Sequence, residues 1–188
     1  MDPLPILAKY YDTSSRLYAI LLKHSLDVTK KAVEISLRHP ELNADTEFIS
    51  EAAMLHDIGI FLTDAPLIEC HGTHRYIEHG YLGADILRAE GLSRHALVCE
   101  RHTGTGLSKK HIVEQNLPLP HRDMIPESIE EQIICYADKF FSKSKLDIEL
   151  PVEKIRKSLA KFGPQVLARF DHWNSLYLLF FALTLSNL

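Results

Sequence analysis

The sequence predicts an all-α fold, a compact single-domain bundle of about seven to nine helices. Three observations predict it. Apolar residues recur at helical spacing along most of the chain. Short alternating runs of branched residues between turn residues, the mark of strands, do not recur. The helical stretches are separated by capping residues, glycines and prolines rather than by long polar linkers.

The elements follow in order. Pro3 and Pro5 suit the first turn of a short helix ending near Tyr11. A second helix runs from about Ser14 to Arg38, with a break expected near His24, and carries Leu17, Ile20, Leu21, Val28, Ala32 and Ile35 at helical spacing. His39-Pro40 ends it, because a residue before proline resists helical geometry. Asp45 caps the next helix, which stops near Gly59 in a left-handed exit. A loop of about fifteen residues holds Pro66 and Gly72. A helix from Arg75 to Glu90 ends at Gly91, and Ser93 caps the helix that follows. The Gly104 and Gly106 turn closes that helix, and Ser108 starts a short one ending near Asn116. After a proline-punctuated connection, Glu127 opens a helix expected to reach Lys143, and two more flank Gly163-Pro164.

Composition bounds what the chain does. Its 188 residues are 46% hydrophobic, enough for one domain with a real core. A net charge of −4 gives no basic excess that would advertise stable nucleic-acid binding. Cys70, Cys99 and Cys135 form no C-x-x-C pair and read as reduced thiols in a cytoplasmic protein. The amino terminus lacks the pattern of a signal peptide. The apolar run over 176–185 is too short for a membrane span, which needs about 20 residues. It is expected to be a buried helix or a self-association surface, which leaves a homodimer open.

Histidine is the anomaly, with 11 copies. His56 and Asp57 sit together at the end of a predicted helix. His24 lies in an earlier helix, and His79 and His102 follow His56 at equal intervals. Asp138 sits in the apolar stretch IICYADKFF. A buried unpaired carboxylate costs several kcal/mol, so Asp138 should be paired or bound to a cation. Imidazole nitrogens with carboxylate oxygens suit Mn, Fe, Co, Ni or Zn. A carboxylate can also bridge two ions about 3.5–4 Å apart, the spacing that clamps attacking and leaving oxygens. His71 and His74 read as exposed loop histidines. His39, His95, His111, His121 and His172 read as surface or incidental.

The pattern H…HD…D, as His24, His56-Asp57 and Asp138, resembles the signature of the HD superfamily of metal-dependent phosphohydrolases. LHDIG at 55–59 is similar to the HDIG subgroup. The likeness continues through EHGYLGADILRAEGL, ERHTGTGLSKK and MIPESIEEQIICYADKF, and covers roughly residues 20–145. It implies one domain of the HD type over 1–188, with C-terminal helices over 150–188 packing on the core or forming a self-association surface. It implies His24, His56, Asp57 and Asp138 as ligands of a first divalent metal. Asp57 would bridge to a second held by His79 and His102, and would orient a metal-bound hydroxide as the catalytic carboxylate. Two departures stand out. Ile60 replaces the lysine that often follows HDIG, and the GYP extension of the cyclic-di-GMP phosphodiesterases is absent, so that substrate is not expected.

The resemblance implies hydrolysis of a phosphate ester, a nucleotide or related small phosphate, at a one- or two-metal site. Two alternatives stay open: a di-iron oxygenase of the same superfamily, and a non-catalytic sensor of nucleotide or metal. For phosphate binding the candidates are Lys139, Arg101, Arg75 and the Thr103-Gly104 turn, with Lys143 and Lys145 extending the basic side. Lys139 is the first choice, because it directly follows Asp138.

Overall fold

In a computed structural model, residues 1–178 are described, and they form nine α-helices and five short strands. The helices are α1 (Leu4–Tyr10), α2 (Arg16–Arg38), α3 (Thr46–Leu55), α4 (His79–Ala89), α5 (Ser93–Arg101), α6 (Lys109–Glu114), α7 (Ile129–Asp138), α8 (Val152–Leu159) and α9 (Pro164–Leu178). The expected all-α bundle is what the chain builds. Of the apolar run over 176–185, the part beyond residue 178 lies outside the described residues.

Local chemistry explains most boundaries. Ser15 caps α2 by accepting from the Tyr18 N–H at 3.1 Å, and Asp45 caps α3 by accepting from the Phe48 N–H at 3.0 Å. Ser108 and Ser128 do the same for α6 and α7. The cap of α5 differs from expectation. Leu92 occupies the cap position with no side-chain bond, and Ser93 is already helical.

α2 does not break at His24. It runs unbroken for 23 residues because Leu21, His24, Ser25, Val28, Ala32 and Ile35 fall on one buried stripe, and the imidazole is part of that stripe. α2 lies along α3 and α7, α4 lies along α5, and α5 also meets α3 and α7. One apolar cluster joins α2, α3 and α7 to α8 and α9 through residues such as Val28, Ile49, Ile133, Phe140, Ile155, Phe170 and Trp173. A second joins α1, α2, α3, α4 and α5 through Leu7, Leu21, Leu55, Leu87 and Cys99.

Two regions read as loop or helix are in fact strands. The stretch after the HD dyad folds into β1 (Thr63–Ala65), β2 (Cys70–His71) and β3 (His74–Arg75). β1 lies between the other two, antiparallel to β2 with Asp64 opposite His71, and parallel to β3 with Thr63 opposite His74. α7 stops at Asp138, and the chain turns into a hairpin of β4 (Phe141–Ser142) and β5 (Lys145–Glu149). This hairpin is tied back to α2 by Lys23 to Asp147 at 3.0 Å and Lys31 to Glu149 at 2.6 Å.

His39 and His95, read as surface residues, are buried. His39 packs on Tyr177, and His95 stacks edge-on against Phe48 at 4.9 Å. All three cysteines are buried free thiols. Among the described residues, no helix is long and apolar enough to cross a membrane.

Candidate metal centre

Five helices deliver the site. His24 comes from the middle of α2, His56 and Asp57 from the turn after α3, His79 from the first residue of α4, His102 from just beyond α5, and Asp138 from the last residue of α7. The turn after α3 is pinned from two sides. The Tyr11 hydroxyl donates to the Ile58 carbonyl at 2.7 Å, and the Cys99 thiol to the His56 carbonyl at 2.9 Å. Gly59 is not left-handed as expected, since its φ is −84°. It is needed for closeness instead. A Cβ there would stand 2.4 Å from the His79 carbonyl oxygen and 2.5 Å from the Gly83 nitrogen. The glycine lets the HD turn touch the start of α4, which brings His79 to Asp57.

All six expected ligands converge, and all six are buried. His24 Nε2 and His56 Nε2 each lie 3.1 Å from Asp57 Oδ2, and they lie 3.1 and 3.5 Å from Asp138 Oδ1. His79 Nε2 and His102 Nε2 lie 3.3 and 3.4 Å from the other Asp57 oxygen, Oδ1. The six therefore fall into two groups, His24, His56, Asp57 and Asp138, and Asp57, His79 and His102. Asp57 gives one oxygen to each.

The backbone fixes what the rings present. The Nδ1–H groups of His56, His79 and His102 donate to the carbonyls of Ala53, Tyr76 and Cys99 at 2.6, 2.6 and 2.7 Å. A carbonyl only accepts, so each Nδ1 carries the proton. In the neutral ring, Nε2 then presents a bare lone pair. The Nε2 atoms of His79 and His102 stand 2.9 Å apart, and those of His24 and His56 3.4 Å apart. The facing lone pairs of His79 and His102 in a buried space call for a shared cation. The donor set fits a divalent transition metal in each group.

The electrostatics agree. Burial opposes the charge on Asp57 and Asp138, but His56 and Lys143 beside the first, and Lys139 and His24 beside the second, hold both carboxyls well below the usual range. Burial pulls His79 down to about 3 against the attraction of Asp57, so its imidazole is neutral. His102 is lowered by burial as well. At His56, burial is outweighed by Asp57 and Asp138, and the ring is raised to about 9. A proton on His56 thus performs the charge compensation that a metal would perform, and the two compete.

Of the expected phosphate-binding residues, Lys139 is at the site. Its Nζ lies 2.6 Å from Asp138 Oδ2 and donates to the His102 carbonyl at 3.0 Å. The others are elsewhere. Arg101 turns outward to Glu127 and Glu131 at 3.1 and 3.0 Å. Arg75, four residues before His79, is exposed. Thr103 and Gly104 belong to a turn strapped down by Cys135 and Arg169. None of these four lines the cleft of about 390 Å³ that opens over Asp138. Its walls are Ala65, Leu67, Ile68 and Tyr76 on one side, and Lys139, Ser142, Lys143 and Ser144 on the other.

Lys143, which the sequence places only on the basic side of the region, reaches the centre itself. Its Nζ lies 2.5 Å from Asp57 Oδ2, and its side chain is only 11% exposed. Burial disfavours its charge, but Asp57 holds it protonated above the usual lysine range. A long helix through Lys143 would have aimed it unpredictably. The signal that could have found it is the serine pair on either side of it, which marks a turn.

The HD domain family model matches residues 21–142. An uncharacterized protein of Methanocaldococcus jannaschii is 35% identical over 150 residues, covering 78% of this chain and 81% of that protein. A protein of Thermoplasma volcanium named tRNA (cytidine(56)-2'-O)-methyltransferase is 35% identical over 157 residues, 82% of this chain and 42% of its own length. A protein of the same name from Picrophilus torridus is 31% identical over 128 residues, 68% of this chain and 33% of its own. The chain therefore spans less than half the length of these two relatives. No solved structure matches significantly.

Proposed function

The chain belongs to the HD-domain family, and from that premise we propose that it is a metal-dependent phosphohydrolase acting on a small phosphate ester, a nucleotide or a related compound. The observation that carries this reading is Asp57, whose two oxygens each face a separate pair of imidazoles. His24, His56, Asp57 and Asp138 would hold one divalent ion, and Asp57, His79 and His102 another. Ions so placed supply Lewis-acid charge and ionise water near neutral pH.

The chain's own residues do the rest. The carbonyls of Ala53, Tyr76 and Cys99 fix the ring tautomers, so no reorganisation is needed when ligands engage. Lys139 is anchored at the cleft floor and offers positive charge to phosphate oxygens. Tyr76 stacks on His79 at 4.7 Å and screens that ring from water. In the reaction, a water oxygen bonds to phosphorus, the ester P–O bond breaks, and the alcohol leaves with a proton. The same ligands suit a di-iron oxygenase, but the lysines at the cleft favour an anionic phosphate. Methyl transfer, named for two relatives, is not proposed, since the shared segment is the lesser part of those proteins.

The test is metal analysis of protein purified without added metal, then a screen of phosphate esters with oxygen uptake followed in parallel. Phosphate release that Asp57→Ala and His56→Ala both abolish, together with bound metal, is expected. Activity on phosphate esters that survives both changes would refute the mechanism, and substrate-dependent oxygen consumption would favour the oxygenase.

A further inference from the structure

Two lysines reach the metal centre, and they are held differently. Lys139 has a second anchor in the His102 carbonyl, besides Asp138. Among the described residues, Lys143 has no such backbone anchor. It rides the turn between β4 and β5, its ammonium on Asp57 Oδ2 and 5.9 Å from the centre of the Tyr76 ring. Ser142, Ser144 and Tyr76 flank it on the cleft wall.

The Asp57 oxygen that Lys143 occupies is the one that His24 and His56 also face at 3.1 Å. A divalent ion on that ligand group and the ammonium would compete for one oxygen, and like charges at such range repel strongly in a buried site. Lys143 is the cation free to yield. Its flexible four-carbon stem and compact charge let it move into the cleft without disturbing the helices.

The charges then specify what it meets. Without metal, Asp57 pairs with Lys143 and Asp138 with Lys139. Each entering divalent ion adds two positive charges to a cluster whose carboxylates already have cationic partners. A terminal phosphate, with nearly two negative charges at neutral pH, offsets more of that charge than a diester does. A phosphodiester brings one.

We propose that Lys143 guards Asp57 until metal binds and then becomes the phosphate-binding residue that selects phosphomonoesters over diesters. This rests on the phosphohydrolase reading. It makes the site's preference a property of the β4–β5 turn rather than of the metal ligands.

The test compares wild type, Lys143→Met and Lys143→Arg. Calorimetry with Mn²⁺ alone, then with inorganic phosphate on the Mn²⁺-loaded protein, reads binding without turnover. Lys143→Met should bind Mn²⁺ at least as tightly as wild type. It should bind phosphate about tenfold more weakly, the loss of one charge-assisted hydrogen bond, with Lys143→Arg restoring most of it. The KM for p-nitrophenyl phosphate should rise in step while kcat changes less, and the KM for bis(p-nitrophenyl) phosphate should rise less. Weakened Mn²⁺ binding with unchanged phosphate affinity would overturn the proposal and make Lys143 a structural partner of the centre. Failure of the wild type to take up Mn²⁺ would overturn the phosphohydrolase reading itself, and this inference with it.

Discussion

At the scale of single residues, the site depends on contacts too close for ordinary side chains. Gly59 faces Gly83, and the start of α4 closes over the HD turn with no room for a methyl group. The obstructing atoms are backbone, so they cannot swing aside. Gly59→Ala should therefore destabilise the protein by about 2–3 kcal/mol in denaturant unfolding, through forced separation of the HD turn from α4. It should also weaken metal uptake, because His79 would withdraw from Asp57. Unchanged stability would mean that the two segments part more easily than their packing implies. Residues of this kind were partly legible. The six ligands could be named because histidine and aspartate stand out within apolar helices. Lys143 could be placed only on the basic side of the region, because its position depends on where α7 stops. Arg101, Thr103 and Gly104 stand beside a ligand in sequence and Arg75 four residues before one, but nearness in sequence is not nearness in a cleft.

At the scale of elements, caps and charges hold the helix ends that aim the ligands. Asp45 caps α3 and pairs with Arg94 at 2.8 Å, while Glu130 of α7 accepts from the Asp45 N–H at 3.1 Å. Asp45→Ala should cost about 1 kcal/mol, read as a lowered midpoint in urea. The Phe48 N–H and Arg94 lower the Asp45 carboxyl. At Glu130, burial is outweighed by the Asp45 N–H and its own backbone, and that carboxyl is lowered too. Both groups thus titrate lower in the folded chain than in the unfolded one. Their stabilisation is present above the unfolded values near 4 and is lost as pH falls through the folded values. Melting temperature should fall on acidification through that window, and fall less steeply in Asp45→Ala. Equal slopes would remove Asp45 from the account. Most helices were legible through their spacing and caps. The strands were not, since β2, β3 and β4 are two residues long, too short for alternation to register. The end of α7 was missed because Lys139 to Lys143 contain no proline or glycine to announce a stop.

At the scale of the whole molecule, α2, α3, α4, α5 and α7 meet at one buried centre, so metal binding and folding are linked. An ion that binds only the folded chain adds about 2.7 kcal/mol at a hundred times its dissociation constant. For a chain of this size that is a rise of about 5–10 °C in melting temperature. Scanning calorimetry with Mn²⁺ should show the rise, and a chelator should reverse it. No shift with any first-row divalent ion would argue that the cluster is held by protons and lysines alone. The helical architecture was legible from periodicity, and the convergence of distant ligands from residue type together with family resemblance. What stayed hidden was the cleft, because its walls come from a hairpin and a three-stranded sheet that leave little trace in the sequence.

The measurement that bears most directly on the centre is metal stoichiometry by equilibrium dialysis, on wild type, His79→Ala with His102→Ala, and Asp57→Ala. The wild type should hold two ions, the double variant one, and Asp57→Ala none. Asp57→Ala retaining the wild-type metal content, while folded, would contradict the shared carboxylate on which the two groups depend.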